Sequence, residues 1–162
     1  MYIWQHRKYL GAAHGLAGIL FILSHFPEYL SKEQMELIIQ SADYLLTQMQ
    51  SDGNIPSSGR PRIPSSLLFP FCFLFSFLWM DGDVIIVCFF CVKGEERQDD
   101  VDDNLVQWCH GAPGMISLFS RLYVLTGKEK YLEVVLSAAE VTWKKGLLTK
   151  SLSLCHGVVG NA

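Results

Sequence analysis

His14-Gly15-Leu16-Ala17-Gly18, His110-Gly111-Ala112-Pro113-Gly114 and His156-Gly157-Val158-Val159-Gly160 are three copies of one pattern, His-Gly-x-x-Gly, and their surroundings decide the fold. Self-similarity along a chain is the signature of a structural repeat. After the first copy, Gly18 to Phe26 is largely apolar, and Pro27 ends the run because proline cannot continue a helical hydrogen-bond ladder. Ser31 and Gln34 then have the spacing of a capping box. Met35, Ile38, Ala42, Leu45, Leu46 and Met49 recur at helical spacing until Ser51-Asp52-Gly53 stops them. After the second copy, Met115 to Leu125 reads as a first helix, Thr126-Gly127 as a break and Lys128 to Lys145 as a second helix, closed by Gly146. The expected fold class is therefore all-α, built from repeated helical hairpins.

The repeat period separates what is regular from what is foreign. His110 and His156 are 46 residues apart, whereas His14 and His110 are 96 apart, a surplus of about 50 residues. The surplus holds Ser65 to Met80, almost wholly Phe, Leu and Ser, then Asp81-Gly82-Asp83, then the apolar Val84 to Val92. Three organisational units follow: a helical repeat over 1–60, an atypical hydrophobic insert over 61–98, and repeats carrying Cys-His pairs over 99–162. A membrane span, a buried hairpin and sequence foreign to the fold compete for the insert. A span needs roughly 20 apolar residues, and the first run is shorter and contains Pro70. Codons for Phe, Leu, Ser, Pro and Cys are rich in pyrimidines, so the segment reads as translated non-coding sequence.

Composition narrows the function classes. With 162 residues, half of them hydrophobic, the chain can bury a sizeable core. A net charge of −3 from 13 basic and 16 acidic side chains lacks the basic footprint of a nucleic-acid binder, so no nucleic-acid partner is expected. Met1 to Leu10 does not read as a signal peptide. The cytoplasm is then the expected compartment, where five cysteines point to metal binding or burial rather than disulfides.

Cys109-His110-Gly111 and Cys155-His156-Gly157 place a thiol at the same point of consecutive repeats, each just before a glycine-rich turn. In a ring of helical hairpins such turns meet at one end. Two thiolates and one imidazole form an N/S donor set suited to zinc, and three protein ligands leave a fourth position open. Simple burial is the plainer reading of either cysteine alone; the repeat-spaced pairing favours the metal. Nothing in the residues themselves separates His110 from His156. Cys88 and Cys91 have Cys-x-x-Cys spacing without a second such pair, so they and Cys72 are assigned no role.

Tyr9-Leu10-Gly11-Ala12-Ala13-His14-Gly15-Leu16-Ala17-Gly18, Trp108-Cys109-His110-Gly111-Ala112-Pro113-Gly114 and Leu154-Cys155-His156-Gly157 resemble the LanC-like proteins. The resemblance covers roughly Tyr9 to Arg60 and Asn104 to Ala162. It implies a fragment of an (α/α) toroid of inner and outer helical rings, which takes further repeats before His14 and after Ala162. It also implies that Cys109, Cys155 and His156 are zinc ligands, with His110 behind them. By the residues alone His14 is a structural histidine at a helix start and Lys150 a solvated loop lysine. The resemblance makes His14 the active-site acid and Lys150 a glutathione contact. The implied reaction is addition of glutathione sulfur to dehydroalanine or dehydrobutyrine in proteins or peptides. The alternative is a non-catalytic protein binding glutathione and a signalling partner, in the cytosol or at the inner face of the plasma membrane. A membrane-inserted protein would rest only on Leu67 to Val92.

The insert generates a first prediction. Deleting Pro61 to Arg97 removes 37 residues and shortens the His14 to His110 spacing to 59. Because the segment offers a dense apolar surface prone to aggregation, the deletion should raise soluble yield and leave thermal stability equal or higher. A deletion variant that unfolds at a lower temperature than the full chain would show the segment to be integral to the fold.

Overall fold

The computed structural model describes residues 3, 7–59, 104–149 and 152–162, so the hydrophobic insert, with Cys72, Cys88 and Cys91, and Lys150 lie outside the described residues. Tyr2–Pro61 and Asp103–Ala162 together form one compact unit, and a second, Arg62–Asp102 with Met1, lies wholly outside the described residues. Among the described residues the elements are α1 (Leu16–Leu23), a 3₁₀ turn (Pro27–Tyr29), α2 (Lys32–Leu46), α3 (Ala112–Thr126), α4 (Glu129–Lys145) and α5 (Val158–Asn161). There is no strand among them; Tyr9 and Ser58 form an isolated antiparallel bridge. The all-α expectation holds. No helix among the described residues is long and apolar enough to cross a membrane.

The ends of the helices follow from local chemistry. The capping box forms as read: Ser31 Oγ accepts from the Gln34 N–H at 3.2 Å, and the Ser31 N–H donates to Gln34 Oε1 at 2.8 Å. The apolar run after Gly18 stops being α-helical at Leu23, three residues earlier than the sequence pattern suggests. Ser24 Oγ donates to the Phe21 carbonyl at 2.7 Å and His25 Nδ1 lies 2.8 Å from the same oxygen. These side chains occupy the acceptor that the next ladder bond needs, and the His25 N–H turns to Ile22 instead. Similarly α2 ends at Leu46 rather than Met49. The Thr47 hydroxyl donates to the Tyr44 carbonyl, and the N–H groups of Thr47, Gln48 and Met49 each reach three residues back, a tightened last turn. In contrast α3 begins at Ala112, before Met115, since Pro113 has no N–H to leave unsatisfied in a first turn. Gly127 ends it in the left-handed region at φ 64°, which glycine adopts without strain.

Packing sorts the helices into two layers. α1 packs on α2, α3 on α4, and the first helices α1, α3 and α5 pack in succession. The layers match composition. α3 buries Ala112, Met115, Leu118, Phe119 and Leu122 among neighbours on several sides, whereas α2 buries one stripe, Ile38, Ala42 and Leu45, and α4 buries Tyr131, Ala138 and Val141. The second helices are tied by polar contacts: the Tyr131 hydroxyl donates to Asp43 at 2.9 Å, and Lys130 pairs with the same carboxylate at 2.6 Å. Inner helices wrapped by outer ones is the arrangement expected of a toroid fragment.

The turn after α2 holds the loop that precedes α3. Asn54, 1% exposed, donates from Nδ2 to the Leu105 carbonyl at 3.1 Å and accepts the Ala112 N–H on Oδ1 at 2.8 Å. Its own N–H is taken by Asp52 at 3.0 Å and its carbonyl by the Gln50 N–H at 2.8 Å. Asn54→Ala would strand one donor and one acceptor, at a cost of about 1–3 kcal/mol each if they stay dry. Thermal unfolding should show a loss of roughly 2–6 kcal/mol, a fall of several degrees or more in Tm for a chain of this size. A Tm within one degree of the parent would mean that water replaces both bonds.

Candidate metal centre

Backbone contacts bring the His-Gly-x-x-Gly turns together. A Cβ at Gly11 would overlap the carbonyl oxygen of Cys109, so only glycine lets the Gly11-Ala12-Ala13-His14 segment lie directly on the loop before α3. The Cys109 N–H in turn donates to the Cys155 carbonyl at 3.1 Å. The last glycine of each copy makes one recurring contact: a Cβ at Gly18, Gly114 or Gly160 would overlap the carbonyl oxygen six residues earlier, on Ala12, Trp108 or Leu154. The repeated motif therefore encodes a tight loop folded back against the first turn of its own helix.

The two loops place Cys109, Cys155 and His156 so that one donor atom from each lies within 4.8 Å of the others. Donors on a single zinc ion, with bonds of roughly 2.0–2.3 Å, lie about 3.5–3.8 Å apart. Small side-chain rotations close that difference, and the soft N/S donor set is compatible with zinc. Both cysteines are free, Cys109 buried and Cys155 exposed, and His156 is exposed as well. Burial pushes the Cys109 thiol up to about 12, and hydrogen bonding and charge at Cys155 push the same way. Two thiolates are thus incompatible here unless a cation lies between them, which a divalent metal supplies.

Beside this cluster stands a second one. The rings of His14 and His110 lie 5.1 Å apart between centroids, edge to face, and Tyr9 lies 5.2 Å from His14 and 5.6 Å from His110. Burial, then the charge of His14, lowers the His110 pKa to about 4, and burial lowers that of His14. At neutral pH His110 is an uncharged imidazole. Its Nδ1 is buried without a hydrogen-bond partner among the described residues.

Of the residues singled out in the sequence, the structure gathers Cys109, Cys155 and His156 into one cluster and brings His14 against His110. His110 shares a loop with Cys109, but its ring belongs to the Tyr9–His14 group. Sequence reasoning passed over Asn54 and Gln107. Gln107 is 6% exposed, and its side-chain oxygen accepts from the Cys109 thiol at 3.6 Å. Neither lies in a motif. Asn54 works through partners that only folding brings near, Leu105 and Ala112, and Gln107 meets Cys109, two residues on, through a side-chain direction that no spacing rule signals.

The sequence profile of the lanthionine synthetase C-like proteins matches residues 1–162. The chain is 30% identical over its full length to the glutathione S-transferase LANCL1 of Danio rerio, covering 31% of that protein. It is 32% identical to the LanC-like protein GCL1 of Arabidopsis thaliana, covering 28% of it. The chain thus spans about three-tenths of the length of these relatives. The profile match over all 162 residues, together with the three glycine-rich turns and the repeat-spaced Cys-His pairs that they carry, makes the chain a member of the lanthionine synthetase C-like family.

Proposed function

We propose that Cys109, Cys155 and His156 bind zinc, and that the protein to which this chain belongs uses the site to add the thiol of glutathione to dehydroalanine or dehydrobutyrine residues in proteins or peptides. The observation that carries this reading is the convergence of three soft donor atoms within 4.8 Å beside a histidine cluster. Family membership and the transferase named among the relatives support the choice of glutathione. Zinc held by two thiolates and a neutral imidazole has no net charge, and when bound it keeps an entering thiol ionised yet nucleophilic.

The remaining work falls to side chains. The substrate sulfur attacks the alkene β-carbon, forming a C–S bond while the alkene electron pair moves onto the α-carbon and its carbonyl. That enolate needs a proton, and His14 is the donor in this reading. Its lowered pKa reduces the fraction protonated but makes the protonated form a stronger acid, a compromise suited to protonating a carbon. His110, held neutral, adds no positive charge that would suppress protonation of His14. Lys150 is proposed as the contact for a glutathione carboxylate. A cytoplasmic location, with association at the inner face of the plasma membrane, belongs to the same proposal.

Two measurements test it. Elemental analysis of the folded chain should find close to one zinc per chain, and Cys155→Ala should weaken retention against a chelator by at least about 100-fold because one of three protein ligands is gone. Unchanged retention would reduce Cys155 to a surface thiol. His14→Ala should lower the rate of thioether formation about 100-fold or more with zinc and glutathione binding intact. A native protein that binds both yet turns over no dehydroamino acid would be a binding protein instead.

A further inference from the structure

We propose that Gln107 is a positioning residue of the metal site, whose carboxamide bonds to the Cys109 sulfur and tunes how strongly that sulfur binds a metal. The inference rests on the zinc reading above and concerns a residue that lies outside every motif in the chain.

Gln107 is buried between apolar neighbours, Val106 at 5% exposure and Cys109 at 4%. A buried carboxamide is tolerated when its polar atoms find partners, and here Oε1 accepts from the Cys109 Sγ at 3.6 Å. The backbone holds the pair in place. The Gln107 N–H donates to the His110 carbonyl at 3.0 Å, closing the loop around Trp108 and Cys109. The two carbonyls before it are also fixed, Leu105 by Asn54 at 3.1 Å and Val106 by Asn161 at 2.9 Å. These bonds fix the backbone of Gln107 beside the sulfur.

The two ends of a carboxamide have nearly the same shape and opposite hydrogen-bonding character. Facing a thiol, the oxygen accepts, as seen here. A metal-bound sulfur has lost its proton and only accepts, so the terminal torsion turns by half a revolution and presents the NH2 group. A hydrogen bond donated to a coordinating sulfur withdraws electron density from it and fixes its direction, the usual task of groups behind metal ligands. Glutamate at the same place has the same outline, but an ionised carboxylate has no hydrogen to give and would oppose the sulfur with like charge.

The full 162-residue chain, wild type, Gln107→Glu and Gln107→Met, is loaded with Co2+ and its sulfur-to-cobalt charge-transfer absorption recorded. Zinc affinity is measured separately by competition with a chelator. Loss of the donated hydrogen bond raises the sulfur donor level, so the band should move to longer wavelength in both variants, further in Gln107→Glu, and zinc should bind about 10–100-fold more weakly in Gln107→Glu. A residue that only fills space would move neither. Wild-type chain that binds Co2+, with both variants matching its band position and its zinc affinity within twofold, overturns the inference and leaves the metal site standing. If Gln107→Glu does not fold, Gln107→Met decides by the same criteria. Wild-type chain that takes up no Co2+ and no zinc overturns the metal site itself, and this inference with it.

Discussion

The buried carboxamide of Asn54 is the constraint on which the proposed site depends. The loop from Leu105 to Gly111 has neither helical nor strand hydrogen bonding, yet Val106, Gln107 and Cys109 within it are buried. Irregular backbone is costly in a protein interior because its N–H and C=O groups need partners. Asn54 supplies two, on Leu105 and Ala112, and Asn161 supplies another on Val106 while also bonding the Gly146 carbonyl at 2.9 Å. One planar amide that donates and accepts at once can close a loop that no side chain with a single function could. Two carbonyls of the Cys109 loop, those of Leu105 and Val106, are in this way satisfied by residues 50 or more positions away in sequence.

The helices divide the labour of building around that loop. The first helices are apolar nearly all round and give the core its rigidity, with Phe119 packed 5.7 Å from the Tyr131 ring. The second helices offer one apolar stripe each and leave charged faces outward. Contacts such as Lys145 with Asp52 at 2.8 Å are largely exposed, and ion pairs of that kind contribute little stability, typically below about 1 kcal/mol. What they do here is register: Asp52 also accepts the Asn54 N–H, so the α4 terminus, the turn after α2 and the loop before α3 are tied through adjacent residues.

Electrostatics gives the proposed centre its character. Burial, and then the neighbouring Cys155, make the Cys109 sulfur resist ionisation, which a cation bound beside it would offset. The neighbouring imidazoles are held toward neutrality by burial.

Much of the fold is legible in the sequence. The His-Gly-x-x-Gly copies announced the repeat because tight loops folded on a helix start need glycine where a Cβ would strike a carbonyl, a demand local enough to be written in sequence. Periodicity located α2 and α4, and Gly127 marked the end of α3 through its left-handed backbone. The equal placement of Cys109 and Cys155 singled out the pair, but the residues alone left His110 and His156 undivided. Tertiary structure decided that His156 stands with the two sulfurs while His110 turns to His14 and Tyr9, a matter of loop direction that spacing does not contain. It also decided that α1 and α2 end early, where Ser24, His25 and Thr47 side chains compete for ladder carbonyls. Asn54 and Gln107 gained their importance only on folding, because a hydrogen bond is a property of two groups at a distance and the sequence records only one of them at a time.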